Sequence, residues 1–190
     1  ALATVLFTLA LTHNDPNTVL LLQKMQPIFA IVLAKILLKE TLPRRFGWLF
    51  VVALIGTYLL TFGFTLPLGN WNNWIHAGSL LSLGAAALWG GSTVMGRLML
   101  GQTRYETVTS LRFVAALPLL IFMTWNEGAA WTLPSGAGEQ AAVALNILGQ
   151  ALLPGLLSLL LYYKGLSSTK ASVATLAELS FPMAGVLVNW

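Results

Sequence analysis

Phe46-Gly-Trp-Leu-Phe-Val-Val-Ala-Leu-Ile-Gly-Thr-Tyr-Leu-Leu-Thr-Phe-Gly-Phe64 runs nineteen residues without a charge, directly after Lys39, Arg44 and Arg45. Strands of a membrane barrel alternate apolar and polar residues over about ten positions. This stretch does not alternate. It reads as a helix that crosses the hydrocarbon core, which takes roughly 20 residues. Working outward, the same kind of run recurs, and apolar spans fall at 1–12, 18–38, 46–64, 77–97, 107–125, 141–163 and 171–190. Of the 190 residues, 57% are hydrophobic and 8% charged, with a mean hydropathy of +0.78. Soluble domains carry about 25% charge, so a cytosolic enzyme, a disordered tail and a nucleic-acid binder are excluded. The chain contains no Cys, which removes disulfides, thiolate metal sites and Cys nucleophiles. Within a bilayer the backbone must satisfy its own hydrogen bonds. The expected fold is an all-α polytopic membrane protein with seven transmembrane spans.

The first of those spans is short, with about 18 Å of helix at the usual rise, and the last stops at Trp190 without a polar flank. Residue 1 is Ala, and no charged segment precedes the first span, so a signal peptide is not expected. Both terminal spans read as truncated, as in an internal piece of a longer protein.

The charges of the connectors set the topology. The connectors at 12–17, 64–76 and 126–140 contain no Lys or Arg. Those at 38–46, 97–106 and 164–170 hold Lys39, Arg44, Arg45, Arg97, Arg104, Lys164 and Lys170, with Lys35 and Arg112 close by. Rich and empty connectors alternate, as single crossings between them require. Nine of the ten cations therefore share one side, which the positive-inside rule makes cytoplasmic. The net charge of +4 is accounted for by topology and implies no acidic partner. Trp71, Trp74, His76, Trp125 and Trp131 lie in or beside the cation-free connectors. An outer aromatic belt explains them; a ligand-binding aromatic cage is the alternative.

A shift of 155 residues lays Leu21-Leu-Gln-Lys-Met-Gln-Pro27 over Leu176-Ala-Glu-Leu-Ser-Phe-Pro182, matching Pro27 with Pro182 and Gln23 with Glu178. It also lays Phe7–Leu11 over Tyr162–Leu166. Five spans separate corresponding elements, and an odd number reverses orientation. The copies are expected to be inverted, an arrangement that places the substrate site of many secondary transporters at the repeat interface.

The segment Leu21–Ala30, followed by Leu37-Leu-Lys-Glu-Thr-Leu42 and the span from Gly47 to Gly63, resembles the end of an EamA repeat. Trp89-Gly90, Leu111-Arg-Phe113 and the run from Tyr162 to Pro182 resemble the second copy. EamA proteins form the ten-helix drug/metabolite transporter superfamily. The resemblance implies that residues 1–64 are the C-terminal part of a first repeat, with three spans. Residues 77–190 are then a second repeat of four spans that lacks its last helix, and 65–76 form an external connector. It further implies helices three to nine of ten, cytoplasmic termini and a central cavity reached alternately from either side.

Six residues are candidates for substrate binding or coupling: Gln23, Lys24, Gln26, Pro27, Glu178 and Pro182. Glu178 lies about 12 Å of helix inside its span. A charge at that depth costs roughly 2.5–3.5 kcal/mol, so it needs a cavity, a partner or a proton. It is read as a protonatable group in the transport path, against a purely structural hydrogen bond. Gln23 offers a neutral amide at the equivalent position, and Gln26 shares nearly the same helix face. Lys24 either snorkels to the outer interface or pairs with Glu178. Pro27 and Pro182 each withhold one backbone bond, leaving a carbonyl a turn earlier to line the path or simply bending a packed helix. Tyr162 and Tyr163 are gate or belt residues.

Small residues from Gly84 to Gly96 predict close helix packing through Ala87–Gly91 and Ser92–Gly96. Catalysis is not expected. His76 and Ser92 would be about 24 Å apart along one helix, and His13 with Asp15 makes a poor metal site. No metal or cofactor is expected. The expected function is a secondary transporter of the inner membrane that exports or exchanges a small organic metabolite or drug-like solute by alternating access. Glu178 offers it a route for proton coupling. The alternative is a membrane scaffold or assembly subunit, which would be packed solid around Gln23 and Glu178. The expected partners are the solute, the lipid bilayer and protons; nucleic acid is not among them.

Overall fold

A computed structural model of the chain describes residues 1–62, 64, 77–127, 134, 136–181, 184 and 187. Among them every regular element is helical: α1 (Leu2–His13), α2 (Pro16–Gln23), α3 (Gln26–Leu37), α4 (Phe46–Phe62), α5 (Ala77–Leu100), α6 (Tyr105–Glu127), α7 (Ala137–Gln150), α8 (Ser158–Ser168) and α9 (Ala171–Glu178). A π-helical segment, Ala151–Leu157, joins α7 to α8. Three stretches among the described residues are long and apolar enough to cross a membrane: Pro16–Leu37, Tyr105–Asn126 and Ala137–Ser168. α1 and α4 are shorter apolar helices, and α5 has 24 residues rich in Gly, Ala and Ser. The expected connector at 65–76, with Trp71, Trp74 and His76, lies outside the described residues, as do Trp131 and Pro182.

The distribution of side chains is that of a protein solvated by lipid. Large apolar residues face outward, among them Ile55 (54% exposed) and Leu145 (70% exposed). Among the described residues the buried hydrophobic ones include Ala3, Ala10, Ala30, Ala34, Ala85, Ala86 and Ala171, and the buried polar ones are all Ser or Thr. A water-soluble fold would reverse this. In a bilayer the tails are as apolar as Leu, so helices associate through small residues and interhelical hydrogen bonds. The chain is an all-α integral membrane protein.

The described residues divide into two compact units. One holds α6, α7, the π segment and α8. Here Arg112 donates to the Tyr163 hydroxyl at 3.0 Å and lies 5.9 Å from the centre of that ring. Tyr163 is buried, which does not suit a belt residue. The π segment contains Pro154, which has no N–H for the carbonyl a turn earlier. The helical rod therefore runs unbroken in composition but not in geometry from Ala137 to Ser168, longer at both ends than the expected span at 141–163.

The other unit, residues 2–98 with 169–190, contains the candidate site residues. Asp15 caps α2 by accepting from the Thr18 amide at 3.1 Å, with Pro16 at the first helical position. α5 lies alongside α2 and α3. Ser82 donates to the Val19 carbonyl at 2.7 Å, and Val94 joins Ala30, Ala34 and Ala171 in a small apolar core. A Cβ on Gly90 would lie 2.9 Å from the Gln26 carbonyl oxygen and 3.0 Å from the Ala30 nitrogen, so backbone meets backbone there. The buried stripe is Ser82, Ala86, Gly90 and Val94. It is offset from the expected Ala87–Gly91 and Ser92–Gly96 pairs, although Gly96 is itself buried.

Two ends of this unit are fixed by hydrogen bonds. Asn14 donates to the Ser79 hydroxyl at 2.8 Å, which joins the cation-free connector at 12–17 to the start of α5. At the far end of α3, Lys39 adopts a left-handed backbone (φ 51) and turns the chain, and Glu40 reaches α9. Its carboxylate accepts from the Ala171 amide at 2.8 Å and the Ser172 hydroxyl at 2.6 Å. Lys170 returns a bond to the Thr41 carbonyl at 2.6 Å. Lys170 and the start of α9 thus meet the cation-rich connector at 38–46 at one end of α2–α3, opposite the cation-free one.

Candidate functional site

The span expected at 18–38 is not one regular helix. α2 stops at Gln23, Lys24 and Met25 form a turn, and α3 starts at Gln26. In the turn, the Met25 amide bonds the Leu22 carbonyl at 3.0 Å and the Ile28 amide bonds the Met25 carbonyl at 3.0 Å. Both are three-residue bonds, tighter than the α-helical four. The cause is Pro27: it has no N–H for the Gln23 carbonyl, so the ladder skips a rung there.

The second copy breaks at the same place. α9 runs from Ala171 to Glu178, which is α2 displaced by 155 residues at both ends. Leu179 and Ser180 form the turn, with amides bonded to the Leu176 and Ala177 carbonyls at 3.2 and 3.0 Å, and helix resumes at Phe181. No Gly/Pro run marks these interruptions in the sequence. The duplicated proline spacing was the available signal.

The two breaks face one another. Glu40 at one end of α3 touches the start of α9, while Gln26 at the other end touches its last residue, so α3 and α9 run antiparallel. Gln26 donates from Nε2 to Oε2 of Glu178 at 2.8 Å. The first residue of α3 thus meets the last residue of α9. A cavity of about 450 Å³ opens here, lined by Gln23, Lys24, Gln26 and Pro27 from the first copy and by Glu178 and Leu179 from the second. Five of the six candidates are brought together, and Pro182 falls outside the described residues. Lys24 stands between this cavity and a smaller apolar one of about 250 Å³ that reaches Ile55 and Tyr58 on α4.

Two contributors were missed in the sequence. Buried Thr57 on α4 donates to the Leu179 carbonyl at 3.1 Å, at the second break. A threonine inside an apolar run carries no signal of its own until the partner helix is known. Glu40 fastens the far end of α3 to α9, and its one signal was an acid within a cation-rich connector.

The EamA-like transporter family model matches residues 76–190. The riboflavin transporter ImpX of Fusobacterium nucleatum is 39% identical over 175 residues, 92% of this chain and 57% of that protein. A riboflavin transporter of Brucella anthropi is 30% identical over 139 residues, 73% of this chain and 43% of that protein. The chain spans about half the length of these curated relatives. No solved structure matches it significantly. Antiparallel, identically interrupted helices, a lipid-facing apolar exterior and a family match over more than half of its residues lead to one conclusion: the chain belongs to the EamA-like transporter family.

Proposed function

We propose that the protein carries a small organic solute across the membrane by alternating access, and that riboflavin is the first solute to test. The observation that carries this reading is the cavity between the two interrupted helices, with Gln26 bonded to Glu178 across it. Discontinuous helices at the interface of inverted repeats are where secondary transporters hold their substrates. The volume of about 450 Å³ falls within the range of small-molecule sites, roughly 300–1,000 Å³. The names of the two relatives supply the choice of riboflavin. The open space beside Glu178 favours transport over the rival scaffold, which would be packed solid there.

Residues 1–64 and 77–190 serve as parts of two inverted repeats, with the connectors at 38–46, 97–106 and 164–170 on the cytoplasmic side of a bacterial inner membrane. Glu178 is the coupling group. It holds a charge beside the Gln26 amide in one state and a proton in another, and the change is felt at both helix breaks. Riboflavin uptake into liposomes by the protein as its gene encodes it, with and without a pH gradient, tests this. Saturable uptake that the gradient accelerates is expected. A Glu178→Gln carrier with unchanged rate and unchanged pH dependence removes the proton role.

A further inference from the structure

We propose that Gln26 and Glu178 together read a cyclic lactam or imide edge on the solute, a ring N–H beside a ring carbonyl. This rests on the flavin reading above and specifies which part of the flavin the site holds. Gln26 Nε2 donates to Glu178 Oε2 at 2.8 Å, which uses one of the two hydrogens of that amide. A carboxylate offers about four acceptor directions on its two oxygens, so Glu178 can accept a further N–H alongside its present bonds. The pair therefore presents a donor and an acceptor side by side, and the bond between them keeps the two in register.

The complement of that surface is an acceptor adjacent to a donor on one rigid edge. A lone carboxylate or amine on the solute would satisfy only half of the pair. A flexible chain would have to be ordered to satisfy both halves, at an entropic cost a ring avoids. The apolar wall of the cavity, Pro27, Leu179 and Phe181, suits the faces of a flat heterocycle. Lys24 lines the same cavity with a further donor, which the second carbonyl of an imide can meet. The isoalloxazine of riboflavin carries carbonyl, N–H and carbonyl in succession along one edge.

Methylation of the imide nitrogen, in 3-methylriboflavin, removes the donor and leaves the rest of the molecule in place. In liposomes holding the protein as its gene encodes it, 3-methylriboflavin is expected to compete with riboflavin uptake at least about tenfold less well than riboflavin itself, the scale of a site polar group left unpaired. Gln26→Leu is expected to shrink that ratio below about threefold, because the register of the pair is lost. The comparison on the unsubstituted carrier stands whether or not that variant folds. Equal competition by the two flavins, or a Gln26→Leu carrier that discriminates as before, overturns the lactam reading and leaves the flavin reading intact. No riboflavin uptake by the unsubstituted carrier overturns the flavin reading, and this one with it.

Discussion

Gln26 and Glu178 are 152 positions apart in the chain and 2.8 Å apart in the fold. Their separate meanings were legible in the sequence: an acid deep in an apolar span must have a cavity, a partner or a proton, and the 155-residue shift places it opposite Gln23. Which amide it meets was not legible, because that depends on how far the antiparallel helices slide past each other. The equivalent residue Gln23 lines the cavity, and Gln26 makes the bond. Glu178→Gln is expected to keep the volume, remove the charge and cut riboflavin uptake at least tenfold while flattening its pH dependence; initial rates at several external pH values check this. Thr57→Val removes the donor to the Leu179 carbonyl at a buried position. The expected loss is about 1–3 kcal/mol, measured as a lower unfolding midpoint in detergent.

At the scale of elements, the interruption in α2–α3 follows from Pro27, and the sequence places Pro182 at the same spacing after α9. A proline withholds the N–H of one rung, and the tightened turn precedes Pro27 in α2–α3; a turn of the same kind, at Leu179 and Ser180, follows α9. The packing that supports the break is α5, held against it by a glycine with no space for a side chain. Gly90→Ala forces backbone apart at the Gln26 carbonyl and the Ala30 nitrogen, with an expected cost of about 1–3 kcal/mol for overpacking; thermal unfolding of the purified carrier checks it. The small residues of α5 forecast close packing, but the contact runs through Ala86, Gly90 and Val94, one or two positions from the expected pairs. Gly, Ala and Ser are so dense from Gly84 to Gly96 that several small-residue registers fit equally well, and only the partner selects one. The Glu40 carboxylate caps α9 from another element, since Lys170 supplies no side-chain cap of its own. Its replacement by Ala is expected to cost about 0.5–2 kcal/mol, as for other helix caps, and to free the start of α9; faster amide hydrogen exchange at Ala171 and Ser172 would report it.

At the scale of the molecule, ten cations forecast a topology, because each crossing of the membrane reverses the side and the charges record it. Lys170 and the start of α9 meet the cation-rich connector at 38–46 at one end of α2–α3, and Asn14 with Ser79 marks the other. Single cysteines placed in the connectors make the arrangement measurable, since these 190 residues contain none of their own. Lys39→Cys and Gln102→Cys are expected to react with an impermeant thiol reagent only in opened cells, and Asn17→Cys in intact ones. What the charges could not supply was the interior, where small residues and neutral polar groups pack without periodic contrast to lipid-facing ones. The central claim is that the two interrupted helices enclose one alternating solute site. Riboflavin exchange tests it most directly: liposomes preloaded with unlabelled riboflavin should take up labelled riboflavin faster than empty ones, and Gln26→Leu and Glu178→Gln should both reduce that stimulation. Uptake that ignores the preload, or stimulation that both substitutions leave unchanged, would contradict it.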